Sequence, residues 1–388
     1  MSNIKQFSFQ MPTEIRFGVN SVSEIGDVLK EMDGRKNIFI VTDKGLIKAG
    51  IVDRVLTAIK DAGYTNITVF DETEPNPRDT TVQKAYEKAK RVQADLLVAI
   101  GGGSSMDTAK AVGTLLEHGG IIQDYEGGDK LTKPITPLIA IPTTVGTGSE
   151  VTYWAVITDT QRHFKMSIGG PLMAPKVALV DPELVKTLPP AITASTGMDA
   201  LTHAIEGYTA SVSEPITDAC GLYAIELIAK NLRNAVYTEA SEAKANMLIG
   251  SLIAGICFGN SDVAAVHCMA EALGGLYDTP HGVANAMLLP VVMEYNYVAD
   301  IEKFARIAKA MGENDLILSE RDMAYQAVSA VEKLTKDLNI PTMKEIGIKA
   351  CDLERLARAS SENMCVESNN RKIGYDEFLD LFQIAYNR

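Results

Sequence analysis

Cysteine, histidine and tryptophan are scarce in this chain, at five, five and one among 388 residues. The cysteines (Cys220, Cys257, Cys268, Cys351, Cys365) are odd in number, scattered and without a CxxC pair. That excludes a regular disulfide framework and fits reduced thiols in a cytoplasm. No apolar run reaches membrane-spanning length. The most apolar stretch, MLIGSLIAGICFG (247–259), is too short and too glycine-rich and reads as a buried helix. The opening MSNIKQFSFQMPTEIRFG lacks the basic, apolar, small-residue order of a signal peptide. Basic charge is in deficit, 37 Lys and Arg against 50 acidic residues, a net charge of −13. Nucleic acid needs a basic face, so it is not an expected partner. The expectation is a soluble, cytoplasmic protein with neither membrane nor nucleic acid among its partners.

What is present is an ordinary globular composition, 46% hydrophobic and 22% charged, in a chain long enough for two domains. NIFIVTD (37–43), NITVFDE (66–72), ADLLVAIGG (94–102), PLIAIPTT (137–144) and KVALVDP (176–182) are short apolar runs ending in turn or polar residues. Helical periodicity separates them in SVSEIGDVLKEM, IVDRVLTAIKDAG and DTTVQKAYEKAKRV. This alternation predicts an α/β domain, a Rossmann-like parallel sheet covered by helices. Residues 151–170 read as a hairpin, two β-rich runs around a polar turn. From Ala191 onward no convincing strand occurs and long amphipathic or apolar helices follow. The boundary falls near 188, giving an α/β domain over 1–188 and an all-α domain over 189–388.

Three of the five histidines fall in helix-compatible, sparsely charged stretches. Asp199 and His203, four apart in GMDALTHAIE, share a helix face; His267 lies in AVHCMAEALGG and His281 in DTPHGVANA. Any one of these alone reads as a satisfied core residue. Together they read as ligands, because Asp199 and His203 would otherwise be buried polar groups without a reason. Three imidazoles and a carboxylate suit Zn or Fe(II) with a position open for substrate oxygen. His118 and His163, in polar surroundings, read as surface residues.

The strand DLLVAI runs into GGGSSMDTAKAVG, where Gly101, Gly102 and Gly103 permit close backbone approach and Ser104 is placed to cap the next helix. Amides at that helix start would hold a pyrophosphate; a plain capping box, Ser104-x-x-Asp107, is the alternative, compatible reading. The loop IPTTVGTGSE (141–150) offers Thr143, Thr144, Thr147 and Ser149 as donors to phosphate or ribose, or as ordinary turn residues. Asp43, ending IFIVTD, would accept from ribose hydroxyls and repel a 2′-phosphate, favouring NAD over NADP.

GGGSSMDTAK, IPTTVGTGSEVT, DPELVKTLPP, TGMDALTHAIEGY, VHCMAEALGG and PHGVANAMLLP together resemble the iron-containing (group III) alcohol dehydrogenases over essentially the whole chain. The resemblance implies a dinucleotide-binding domain and a helical domain with cofactor and metal between them, the dehydroquinate synthase-like fold. It gives ligand roles to Asp199, His203, His267 and His281. It places Asp43, Asn76, Gly102, Gly103, Ser104, Asp107, Thr143, Thr144, Thr147 and Lys165 around NAD(H), and Tyr153, Trp154, Phe258 and Cys365 at the substrate. A bulky Trp154 there would favour short substrates; a core aromatic beside the hairpin is its other reading. A homodimer or larger homo-oligomer is also implied.

Glu271 stands where the family often has a histidine, four residues after the third ligand. A fifth ligand, a proton relay and a hydrogen-bond partner of a ligand all fit it, as does a helix carboxylate in a salt bridge near the cleft. GNSDVAAVH and NNR (369–371) also depart from the family pattern. The implied activity is reversible hydride transfer between NAD and a small primary alcohol, diol or short aldehyde, with Fe(II) or Zn as Lewis acid at the substrate oxygen. A dehydroquinate synthase-type lyase would need Lys and Arg around the metal, and GMDALTHAIEGY and AAVHCMAEALGG have none. A zinc glycerol dehydrogenase-like enzyme is a nearer alternative. A nucleotide-binding regulator with a decayed site is a third, against which the intact ligand set counts.

Overall fold

Alternation along each strand decides the first half of the chain, because successive side chains enter opposite faces of a sheet that is covered on both. The computed structural model describes residues 6–32 and 34–388. Strands β1 (Glu14–Phe17), β2 (Ile38–Val41), β3 (Ile67–Phe70), β4 (Leu96–Gly101), β5 (Gly127–Gly128), β6 (Leu138–Pro142), β7 (Trp154–Asp159), β8 (Phe164–Gly169) and β9 (Val177–Val180) interleave with helices α1 (Ile25–Glu31), α2 (Lys44–Lys48), α3 (Ile51–Asp61), α4 (Asp79–Arg91) and α5 (Gly103–His118). Six strands form one parallel sheet in the order β1-β9-β6-β4-β2-β3. Phe39, Val41, Leu97, Ala99, Leu138 and Ala140 point into the layer of α4 and α5. Ile38, Ile40, Leu96, Val98, Ile100, Ile139 and Ile141 point into that of α1 and α3. Full burial of each such side chain contributes roughly 1.5–3 kcal/mol.

β7 and β8 form the expected antiparallel hairpin, Trp154 opposite Gly169 and Asp159 opposite Phe164, with β5 added to make a separate small sheet. β1 is a strand the periodicity of EIRF does not announce. It is short, half-exposed and at the sheet edge, and it exists through its pairing with β9.

Helices α6 (Pro190–Thr209), α7 (Pro215–Tyr237), α8 (Ser241–Asn260), α9 (Ala265–Tyr277), α10 (His281–Asn296), α11 (Ile301–Ala310), α12 (Glu320–Asp337), α13 (Leu353–Ser361) and α14 (Tyr375–Asn387) complete the chain. α6 and α7 each begin with proline at the first helical position, where the missing N–H is not needed. Their largest apolar cluster also takes in Val145, Val151, Ala178 and Val180, so the helices pack directly on the sheet's β9 flank. No single helix among the described residues is long and apolar enough to cross a membrane.

Because the sheet is parallel, the loops after β2, β4 and β6 leave from one edge, the side where open α/β sheets bind ligands. A buried charge cluster ties the loop after β6 to α5, the helix that follows β4. Lys110 on α5, fully buried, donates to Ser149 Oγ (2.8 Å), Thr152 Oγ1 (3.3 Å) and the Trp154 carbonyl (2.7 Å). Asp107, one turn earlier, accepts from Ser149 Oγ (2.8 Å) and Val156 N–H (3.0 Å). Burial lowers Lys110 to about 8 against the pull of Asp107 and Glu150. Burial raises Glu150, whose Oε1 has no partner, to about 7. Below 4.5, its ordinary value, Glu150 is protonated folded or unfolded. Between there and about 7 the unfolded chain ionises first, so folding stability falls as pH rises. Glu150→Gln removes that loss. Its melting temperature should exceed the parent's at about pH 8, with the gap closing towards about pH 4.5; a gap independent of pH would contradict the assignment.

Candidate metal centre and cofactor cleft

Helical spacing puts Asp199, His203 and Glu206 on one face of α6, and all three are buried. His267 enters from the first turn of α9, and His281 is the first residue of α10, set by Pro280 at its cap. Gly282 lets that corner close on α6, since a Cβ there would lie 2.4 Å from the Ser195 carbonyl oxygen. One donor atom from each of Asp199, His203, His267 and His281 lies within 4.8 Å of the others. That span is close to twice a metal–ligand bond of roughly 2 Å. Three of the four are buried and His281 is 27% exposed, so the cluster opens on that side.

The surroundings favour ligand protonation states. Glu206 Oε2 accepts from His267 Nδ1 (2.5 Å), leaving Nε2 with its lone pair towards the cluster. The same carboxylate accepts from the backbone N–H of Ala264 (3.0 Å) and Val266 (2.7 Å), at the start of α9. Asn285, one turn after His281, donates Nδ2 to Asp199 Oδ1 (2.7 Å) and sits 3.1 and 3.3 Å from Nε2 of His267 and His281. Burial lowers His203 to about 4 against Asp199, and drives His281 well below its usual value. Burial also opposes charge on His267, but the bond to Glu206 outweighs it and the net shift is upward. For Asp199 burial raises the pKa, yet His203, His281, His267 and Asn285 together hold it below the ordinary range. Neutral imidazoles at His203 and His281 beside an ionised Asp199 suit a divalent ion, which on binding would displace any proton from His267 Nε2.

Part of the cofactor set also comes together. A Cβ on Gly102 would lie 2.9 Å from Thr144 Cγ2 and one on Gly103 2.8 Å from Thr147 Cγ2, so the glycine and threonine loops pack face to face. Thr143 joins them by its N–H to the Gly101 carbonyl (3.0 Å). Ser104 does not cap α5. Gly102, in an extended conformation, is the cap residue; Ser104 falls inside the first turn, and Asp107 turns to Ser149 and Val156 instead of closing a box. Asp43 caps α2, accepting from Leu46 N–H (3.0 Å). Lys165 Nζ donates to Asn76 Oδ1 (2.7 Å), and Asn76 Nδ2 donates to Asp278 Oδ1 (2.8 Å), just ahead of His281. The threonine loop reaches α6 directly, since a Cβ on Gly146 would lie 2.7 Å from that of Thr196.

Both halves of the chain match family models, residues 12–182 that of the iron-containing alcohol dehydrogenases and residues 193–386 that of their C-terminal domain. The chain belongs to this family. It is 42% identical to 1,3-propanediol dehydrogenase of Citrobacter freundii over 98% of this chain and 99% of that one. With the NAD-dependent methanol dehydrogenase of Bacillus methanolicus it shares 41%, over 94% and 96%. The crystal structure of a 1,3-propanediol oxidoreductase superposes with a TM-score of 0.95 at 42% identity, covering 98% of this chain and all of that one. Like its family, the protein is an alcohol oxidoreductase.

One of the substrate-pocket candidates packs on the cluster of this iron-type dehydrogenase. Phe258 stacks flat on His203, ring centroids 4.2 Å apart. The Trp154 indole lies across Gly169 and Gly128, and Tyr153 packs partly buried against the α/β core. Cys365 is buried, its N–H donated to Asn363 Oδ1 (2.9 Å). Glu271 is outside the four-residue ligand group and makes no salt bridge among the described residues; it accepts from Asn363 Nδ2 (2.6 Å). Burial raises its pKa, opposed by Lys165, His267 and Asn363. Glu206, Asn285 and Asn363 escaped the sequence reading. Position could have found the first two: Glu206 is seven residues after Asp199 and Asn285 four after His281, each on a ligand-bearing face.

Glu206→Ala leaves the His267 tautomer unselected and should weaken zinc binding by about 10- to 100-fold in chelator competition. Unchanged affinity in a variant with native circular dichroism would contradict the role given to Glu206.

Proposed function

We propose that this protein is an NAD- and metal-dependent dehydrogenase interconverting a small primary alcohol or diol and its aldehyde. The observation that carries the reading is the convergence of three imidazoles and one carboxylate on α6, α9 and α10, against the threonine loop at the carboxyl edge of the sheet. Asp199, His203, His267 and His281 would hold the ion, and the donor set suits Fe(II) or Zn. The relatives named for propanediol and methanol, one of them NAD-dependent, support this substrate range and cofactor.

The chain's own residues supply the rest. The free amides at the start of α5 and the hydroxyls of Thr143, Thr144 and Thr147 bind the pyrophosphate. Asp43 would accept from the adenine-side ribose, and Asn76 and Lys165 would orient the cofactor where the α/β half meets the helical half. Phe258, stacked on His203, keeps one side of the cluster dry. A divalent ion held there would supply Lewis-acid polarisation of the substrate oxygen, and a bound nicotinamide would serve as hydride acceptor or donor.

Reconstitution with Fe(II) or Zn should give absorbance at the NADH wavelength with short alcohols. Asp199→Ala and His267→Ala should lose both bound metal and turnover; full activity in the double variant would sink the reading. Asp43→Asn keeps the cap of α2 and removes the charge. It should raise kcat/KM with NADP relative to NAD by about tenfold, the effect of about 1.4 kcal/mol of relieved repulsion. An unmoved ratio would take Asp43 away from the ribose.

A further inference from the structure

Lys165 reaches from β8 to α9 and is buried there with little to hold its charge. Its ammonium carries three N–H groups, and among the described residues one hydrogen bond uses them, to Asn76 Oδ1 (2.7 Å). Gly274 is its seat, since a Cβ there would lie 2.6 Å from Lys165 Cε and 2.7 Å from Nζ. Glu271 comes three residues before Gly274, so carboxylate and ammonium share one face of α9, within a turn of each other. Both line, with Asn363, a cavity of about 40 Å3, more than the roughly 10–15 Å3 that a single water requires. Exposed Arg355 and His163 stand at its rim.

A buried ammonium needs an anion nearby and partners for its remaining N–H groups. Burial pushes Lys165 towards losing its proton, and Glu271 is foremost among the carboxylates that resist this, ahead of Asp199, Asp278 and Asp107. Those three are engaged elsewhere. Asp199 accepts from Asn285, Asp278 from Asn76 and Arg78, and Asp107 from Ser149 and Val156. Glu271 accepts one hydrogen bond among the described residues, from Asn363. Burial raises its carboxyl, and Lys165 is the foremost group opposing that rise. A water in the cavity finds three polar partners, donating to Glu271 and accepting from the Lys165 ammonium or the Asn363 amide. We infer that Glu271 is the counter-ion of Lys165, joined to it through water in this cavity, and that the pair holds Lys165 against Asn76. Glu271 is then a positioning residue that acts on the cofactor through Lys165. That effect rests on the NAD-dependent reading given above.

The test reads calorimetric NAD binding and melting temperature on zinc-reconstituted protein. Glu271→Gln keeps an acceptor for Asn363 and removes the charge, and should raise the Kd for NAD by about tenfold. Gly274→Ala, which pushes the ammonium off its seat, should do the same. Arg355→Gln, which removes a rim charge, should leave the Kd unchanged. In a Lys165→Met background Glu271→Gln should cost no further affinity, because the charge it served is gone. Losses that add in the double variant, or an equal loss from Arg355→Gln, overturn the counter-ion role. If Lys165→Met binds NAD as tightly as the parent, the cofactor role given to Lys165 fails, and the melting temperatures still decide the pair. The double variant should then melt no lower than Lys165→Met alone, whereas a drop equal to the sum of the two single losses overturns the pair.

Discussion

Three polar side chains buried on one face of α6 impose a condition that the surrounding helices must meet. Asp199, His203 and Glu206 are nearly inaccessible to water, and an unpaired carboxylate at that depth would cost several kcal/mol. The start of α9 answers Glu206 with two backbone N–H groups and the imidazole of His267. The start of α10 answers Asp199 with Asn285 and brings His281 to it. Two helix beginnings are thus anchored to one helix face, and the ligand cluster is a consequence of how their polar groups are satisfied.

The α/β half obeys a parallel constraint with charge of both signs. Lys110 and Asp107, on consecutive turns of α5, reach the same Ser149 and, beyond it, the backbone of Trp154 and Val156 at the start of β7. The threonine loop is thereby held against the glycines at the start of α5 and, through Gly146, against α6. The threonine loop and α6 thus share a packed boundary, the close positioning that the proposed hydride transfer would need. Asn76 and Asp278, both at positive φ, meet across the same junction, each in a conformation that amide and acid side chains tolerate better than most.

Much of this was legible in residue order. The short apolar runs ending in turn or polar residues marked β2, β3, β4, β6 and β9, because strands of a parallel sheet covered on both faces are apolar on both. The four ligand candidates stood out because histidine is rare and each lay in an apolar helical stretch. Ser104 misled, since a serine after glycine is a good cap in isolation; the extended Gly102 takes the cap instead and the helix begins at Gly103, two residues before a Ser104 cap would start it. β1 was invisible, having no apolar pattern of its own and existing through a partner more than 150 residues away.

The sequence by itself determined spacing: which side chains share a helix face, where strands stop, and how few residues can bind a metal. Those are local consequences of the 3.6- and two-residue repeats. Only the tertiary structure decided which partners those side chains meet. Glu206 became the orienting group of His267, Asp107 and Lys110 became struts under a loop, and Glu271 turned from the metal cluster to Asn363 beside a small polar cavity. Such pairings depend on where separate helices cross, and burial then makes each contact obligatory, because a polar group removed from water must find its partner in whatever the fold has placed beside it.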